Sequence, residues 1–258
     1  MAAKTGPYSG TQAVMRAMSL LEVFSDERPE WSLTDLAGAT GLNRTTAYRL
    51  LTALASYEMV ARNPDTDRYR LGPGVIVLAG RALRANPLRS ISRPELERLT
   101  ATTGETATLE VLADGEVLII DEVVGERLIS GAQSVGTRWP AFATSTGNAI
   151  LAYLPEAERE RILRASLPQI TPKTVTEPEA LRRQLARVRE VGYAVVAEGL
   201  ELGYVAVGAP VCDVDRRPVA AISLGGPTVR LDAARIPHIG ALVRQAAERL
   251  SRQLGYRS

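Results

Sequence analysis

Residues 32–57, SLTDLAGATGLNRTTAYRLLTALASY, constrain this chain more than any other stretch. Leu33, Leu36, Ala37 and Thr40 recur at helical spacing, and Leu42, Ala47, Leu50, Leu51 and Leu54 do so again after a break. Ser32 is placed to cap the first helix, with Asp35 three residues on in the reciprocal capping-box position. The small Ala37 and Gly41 allow two helices to cross steeply through a tight turn, because glycine adopts backbone angles that other residues resist. The second helix then presents Asn43, Arg44, Thr45, Thr46, Tyr48 and Arg49 along its N-terminal half, side chains suited to phosphates and base edges. This is a helix-turn-helix pattern. A helical hairpin with no ligand would share the apolar stripe and the glycine, so the flanks decide.

Before it, residues 12–24 read as a helix whose apolar face is Val14, Met18, Leu20 and Leu21. Its Gln12 and Arg16 either meet DNA phosphates or form a solvated face. After it, Met59 and Val60 begin a strand, Asn63-Pro64-Asp65 forms a turn, and Tyr69, Arg70 and Leu71 return. A hairpin directly after a recognition helix is a wing. Arg62, Arg68 and Arg70 flank its tip, where they can reach phosphates or a minor groove. A hinge and a helix over residues 75–85 follow, with Val75, Leu78, Ala79 and Leu83 on one face and Pro87 near a break. Three regions result: a winged helix-turn-helix over 11–73, a linker helix over 74–87, and a larger domain over 88–255.

At 258 residues the chain has room for two cores, and its 45% hydrophobic and 23% charged content is that of an ordinary globular protein. Net charge is only +2. Residues 1–90 hold 11 basic against 8 acidic side chains and the remainder 20 against 21, so the small basic excess lies with the helix-turn-helix. One cysteine, Cys212, excludes an intrachain disulfide framework. One histidine, His238, removes most zinc and Cys–His designs, and no metal site is expected. No apolar run reaches the roughly 20 residues of a membrane span, and the first ten residues lack a signal-peptide core, so a cytoplasmic protein is expected.

Beyond residue 88 the pattern changes to strands mixed with helices. Helices are expected over 93–102, 145–154, 156–165, 178–191 and 236–254. Strands are expected over 106–112 and 116–122, joined by the strong turn pair Asp114-Gly115, and over 193–198, 203–211 and 219–225, while LISGAQSVGTRWPAF continues from the first pair as strand and loop. Five or six strands with helices beside them predict an antiparallel α+β domain.

The ordered set of N-terminal helix, helix-turn-helix, arginine-bearing wing and linker helix resembles the DNA-binding half of the IclR family of bacterial transcriptional regulators. GAQSVGTRWPAFATSTGNAILAYLP, the GY followed by Glu198 and then ELG, and AAISLGGP resemble that family's effector-binding domain, so the resemblance spans about residues 11–255. It implies a GAF-like C-terminal fold, and a homodimer or dimer of dimers on a palindromic double-stranded DNA operator. It also implies a small-molecule effector, often an organic acid, bound between the sheet and a strand-to-helix loop. Carried over, the ligand positions are Leu128, Trp139, Phe142, Ser145, Thr146, Ala197, Glu198, Ala206, Ser223 and Gly225. No other cofactor is implied.

Two departures bear on the ligand. Val196, Ala197 and Gly199 occupy a commonly acidic region, although Glu198 and Glu201 remain, and Ala206 stands where cysteine is frequent. The less polar lining, with Trp139 and Phe142 just before the loop, suits an aromatic or partly apolar acid better than a very small dicarboxylate. Trp139 reads equally as a core or interface residue. Ser145 and Thr146 could hold a carboxylate at a helix start or serve only as a cap. The sequence therefore points to an effector-responsive DNA-binding regulator, with a repressor among the outcomes and the direction of response open. The alternatives are an architectural or partner-binding DNA protein with a degenerate pocket and an enzyme using Glu198, Asp121, Glu122, Ser145 or Ser223. No histidine, lysine or paired-carboxylate motif accompanies those residues, so no enzyme is expected.

Overall fold

The computed structural model describes residues 11–125 and 134–256. Two compact units meet in sequence between Ala85 and Asn86.

The first unit begins with α1 (Gln12–Leu21), α2 (Leu33–Thr40) and α3 (Arg44–Ser56). Leu20, Leu36, Ala37, Ala47 and Leu51 form its core with Val60 and Tyr69 of the hairpin. Ser32 caps α2, its Oγ accepting from the Asp35 amide at 3.1 Å. The other half of the expected capping box is not made, because the Asp35 carboxylate turns to Arg28 at 2.6 Å. Gly41 has φ +67 and ends α2, while the Leu42 amide reaches back to the Ala37 carbonyl at 2.9 Å. That six-to-one bond is a Schellman closure, and the positive φ is why the position is glycine. Leu42 lies in this turn rather than on α3, which Asn43 caps through its side-chain oxygen to the Thr46 amide at 2.8 Å.

The wing is β1 (Val60–Arg62) antiparallel to β2 (Tyr69–Leu71), with Arg62 opposite Tyr69. Trp31 adds a third, isolated rung: it exchanges both backbone hydrogen bonds with Tyr69, at 2.9 and 2.7 Å. Its indole N–H donates to the Arg28 carbonyl, and the Arg28 guanidinium lies 3.4 Å from the ring centroid. α4 (Pro73–Ala85) follows and buries none of its residues. Helix α1 stops at Leu21, short of the expected 24, and two of its expected core positions are instead exposed, Val14 at 63% and Met18 at 49%.

The second unit opens with α5 (Pro87–Thr103), six residues earlier than the spacing suggested. Asn86 caps it, and Pro87 occupies the first turn, where a missing N–H costs nothing, so this proline starts a helix rather than breaking one. Strands β3 (Thr106–Ala113), β4 (Glu116–Val123), β5 (Arg138–Pro140), β6 (Ala194–Ala197), β7 (Tyr204–Cys212) and β8 (Pro218–Pro227) form an antiparallel sheet, six-stranded among the described residues. Their order is β5-β4-β3-β8-β7-β6. The β3–β4 turn has φ +54 at Asp114 and +83 at Gly115, as a tight hairpin requires.

Alternation along the strands sorts the two faces. Helices α5 and α9 (Ile236–Gln253) cover one, over Leu109, Ile222 and Leu224. Helices α6 (Ser145–Tyr153) and α8 (Pro178–Val191) cover the other, with the short α7 (Glu156–Leu163) beside them. Ion pairs to buried carboxylates tie the frame. Arg249 of α9 grips Glu95 of α5 with two bonds at 2.9 and 2.8 Å, and Arg230 grips Glu105 at 2.7 and 2.6 Å. Asp121 of β4 receives Arg93 at 3.0 Å. Among the described residues no helix is long and apolar enough to cross a membrane.

Candidate nucleic-acid interface and ligand pocket

Helix α3 turns Ala47 and Leu51 inward and leaves Arg44, Thr45, Tyr48 and Arg49 exposed along one side, while Thr46 is half-buried. Asn43 is exposed too, but its side-chain oxygen is engaged as the cap. At the wing, Asn63 folds the tip by accepting from the Asp65 amide at 2.9 Å. Arg62 pairs with Asp67 across that tip and lies 5.9 Å from the Tyr69 ring, so it serves the hairpin itself. Arg68 and Arg70 are exposed. On α1, Gln12 is exposed and Arg16 half-buried. The unit thus offers a polar helix face and a basic hairpin, each held by its own caps and turns.

In the second unit a small cavity, partly open to solvent, lies where the start of α6 meets the sheet. Trp139, Ala143, Val196, Leu200 and Ala206 supply its apolar wall; Glu110, Ser145, Thr146, Glu201, Tyr204 and Ser223 supply its polar groups. Of the sequence candidates, Trp139, Ser145, Thr146, Ala206 and Ser223 come together here. Phe142 instead packs into the core with Ala141 and Ala143. Ala197 is exposed on β6, and Glu198 closes its own loop, accepting from the Gly203 amide at 2.9 Å. Gly225 lies beneath Tyr204: a Cβ there would stand 2.2 Å from the phenol oxygen, so only glycine lets that ring lie on the sheet. Leu128 falls outside the described residues.

Thr144 caps α6, its Oγ1 accepting from the Gly147 amide at 3.0 Å. Capping therefore does not fall to Ser145 or Thr146, which occupy the first turn, where backbone N–H groups lack partners within the helix. Thr146 donates to Glu110 Oε2 at 2.5 Å, Thr108 donates to Oε1 at 2.8 Å, and Thr108 meets Ser223 at 2.8 Å. Burial pushes the Glu110 carboxyl up from its ordinary range, while the Thr146 and Thr108 hydrogen bonds pull it back. Burial, then the charge of Glu201, raises the Tyr204 phenol. Sequence reasoning missed Glu110 and Tyr204. The signal for Glu110 was present: a carboxylate between Leu109 and Val111 interrupts an otherwise apolar strand.

The two units match, in order, two known domain families. Residues 13–64 match the IclR helix-turn-helix domain, and residues 80–252 match the bacterial transcriptional regulator IclR C-terminal domain. The chain belongs to the IclR family. It is 32% identical over 246 residues to the HTH-type transcriptional regulator XynR of Escherichia coli K12, covering 95% of this chain and 98% of that one. It is also 32% identical over 258 residues to the transcriptional repressor IclR of the same organism, covering 98% and 94%. Among solved structures, an IclR homolog from Microbacterium hydrocarbonoxydans complexed with 4-hydroxybenzoate superimposes with a TM-score of 0.81 at 29% identity, covering 95% of this chain and 99% of that one. As an IclR regulator, this chain couples a helix-turn-helix DNA-binding unit to an effector domain. Among its described residues no group of three or more His, Cys, Asp or Glu is placed to hold a metal ion. Cys212 is buried, its thiol raised to about 11 by that burial, and His238 is exposed on α9.

Proposed function

We propose that this IclR regulator senses a small organic acid with an aromatic or partly apolar body and thereby controls its hold on a palindromic operator. The observation that carries the ligand half is the cavity, whose apolar wall is set against a few directed polar groups at a helix start. The 4-hydroxybenzoate in the Microbacterium homolog supports a ring-sized occupant. On the DNA half, Arg44, Thr45, Tyr48 and Arg49 enter the major groove, with Arg68 and Arg70 of the wing on neighbouring phosphates.

Two copies act together. Val14 and Met18 of α1 and Ile76, Val77 and Leu78 of α4 leave apolar surface exposed within the first unit, Ile76 at 75%. A second copy covering such surface places two recognition helices on two half-sites. The effector then biases operator binding only to the extent that it binds one arrangement of the pair more tightly than the other.

A mobility-shift titration on the DNA flanking the regulator's own gene, with and without benzoate-type acids, tests this. Sequence-specific retardation that shifts with added acid is expected. Retardation that no acid changes, together with no calorimetric binding, overturns the sensor half.

A further inference from the structure

We propose that Glu110 selects the effector, so that the acid this pocket takes also carries a hydroxyl group, which donates to Glu110. The inference rests on the sensor reading above and narrows its ligand.

The argument is the direction of the hydrogen bonds. A hydroxyl has one hydrogen to give. Thr108 gives its hydrogen to Glu110 Oε1 at 2.8 Å, so across the 2.8 Å contact with Ser223 it is Ser223 that donates to Thr108. Thr146 gives its hydrogen to Oε2 at 2.5 Å. Three hydroxyl hydrogens from β3, β8 and α6 thus run toward one carboxylate. Ser223 is left presenting lone pairs to the cavity, and Glu110, with two of about four lone-pair directions used, keeps capacity to accept. This part of the wall accepts and does not donate. A ligand carboxylate placed against it would meet the Glu110 carboxylate of β3; a ligand hydroxyl would be received.

The wall also holds an unanswered donor. The indole N–H of Trp139 is buried and has no hydrogen-bond partner among the described residues. A buried N–H without an acceptor is costly, and a carboxylate oxygen of the ligand answers it. An acceptor for a hydroxyl and a donor for a carboxylate, joined by apolar walls, describe a hydroxylated acid. Burial already raises the Glu110 carboxyl, and a hydroxyl donated to it favours the ionised form.

The test is titration calorimetry on the full chain with acids that differ by one hydroxyl: benzoate against its three monohydroxy isomers, and hexanoate against 6-hydroxyhexanoate. In at least one series a hydroxylated member should bind roughly 10- to 100-fold tighter than its parent, as a hydrogen bond to a charged group provides. Glu110→Leu should abolish that ratio. Glu110→Gln keeps the shape and one acceptor without the charge, should shrink the ratio part-way, and guards against misfolding of the leucine variant. Trp139→Phe should weaken both members of a pair while preserving their ratio. Parents binding as tightly as their hydroxylated partners, or tightening in Glu110→Leu, overturns hydroxyl selection and leaves the sensor reading standing. Binding of neither series by the wild-type chain overturns the organic-acid reading and this inference with it.

Discussion

Thr146, in the first turn of α6, donates its hydroxyl to the Glu110 carboxylate of β3 at 2.5 Å, deep in the effector domain. The bond joins the helix start to the sheet at the cavity and places an acidic group where an organic acid was expected to dock. Its first consequence concerns pH. Because burial raises the Glu110 carboxyl, the folded chain holds this proton to a higher pH than the unfolded chain does. That contribution to stability is complete below the unfolded value of about 4.3 and is lost as pH rises through the raised one. In a Trp31→Phe background Trp139 is the remaining one of two tryptophans and reports on this domain by fluorescence. Its melting temperature should fall as pH climbs from about 4.3, and Glu110→Gln should flatten that fall.

Recognition by α3 gives a second expectation. Arg44→Ala and Arg49→Ala should each weaken operator binding by about 1–3 kcal/mol at matched salt. A lost base contact relaxes sequence preference, whereas a lost phosphate contact lowers the salt slope by about one. Fluorescence anisotropy across a salt series separates the two. Arg62→Ala should act mainly by loosening the wing, because its guanidinium is already paired with Asp67.

Glycine substitutions should separate backbone strain from crowding. At Gly41 a Cβ meets nothing within 4 Å, so Gly41→Ala costs only the positive φ, about 1–2 kcal/mol. At Gly225 a Cβ meets Tyr204 instead, so Gly225→Ala should displace that ring and lower ligand affinity. Thermal melts and calorimetry, run on both variants, give the comparison.

The α5–α9 clamp should respond in the manner of a buried pair. Arg249→Met leaves the Glu95 carboxylate, whose side chain is 6% exposed, to Arg98 at 3.4 Å, and should cost less than the roughly 3 kcal/mol of a fully broken buried pair. Replacing Glu95 by Gln in the same chain should recover most of the loss. Urea unfolding of the single and double variants measures it.

Pairing of copies through the first unit predicts that Ile76→Glu, at an exposed apolar position, shifts the chain toward monomer in sedimentation velocity and weakens operator binding without lowering α-helix content.

Local patterns carried the first unit. The helical period of residues 32–57, the cap at Ser32, the positive φ at Gly41 and the hairpin turn at Asn63 are decided by neighbours a few residues away, so they could be read directly. Local patterns misled at Pro87, where the cap on Asn86 turned an apparent breaker into a helix start. They also misled at Val14 and Met18, whose helical spacing says which side is apolar but not whether anything in the chain covers it.

The family, the order of elements and the residues at the start of α6 were thus determined by the sequence alone. Tertiary structure decided the pocket. Glu110 meets Thr146 across 36 residues, and Thr108 meets Ser223 across 115. Trp31 joins the wing through a rung with Tyr69 that no short pattern encodes. Phe142 and Trp139 stand three residues apart, yet Phe142 is buried in the core, while Trp139, packed against that core, also lines the cavity. The physical reason is common to all of them: whether a side chain is buried, charged, or free to meet a ligand depends on partners that only sheet register and helix packing bring within reach.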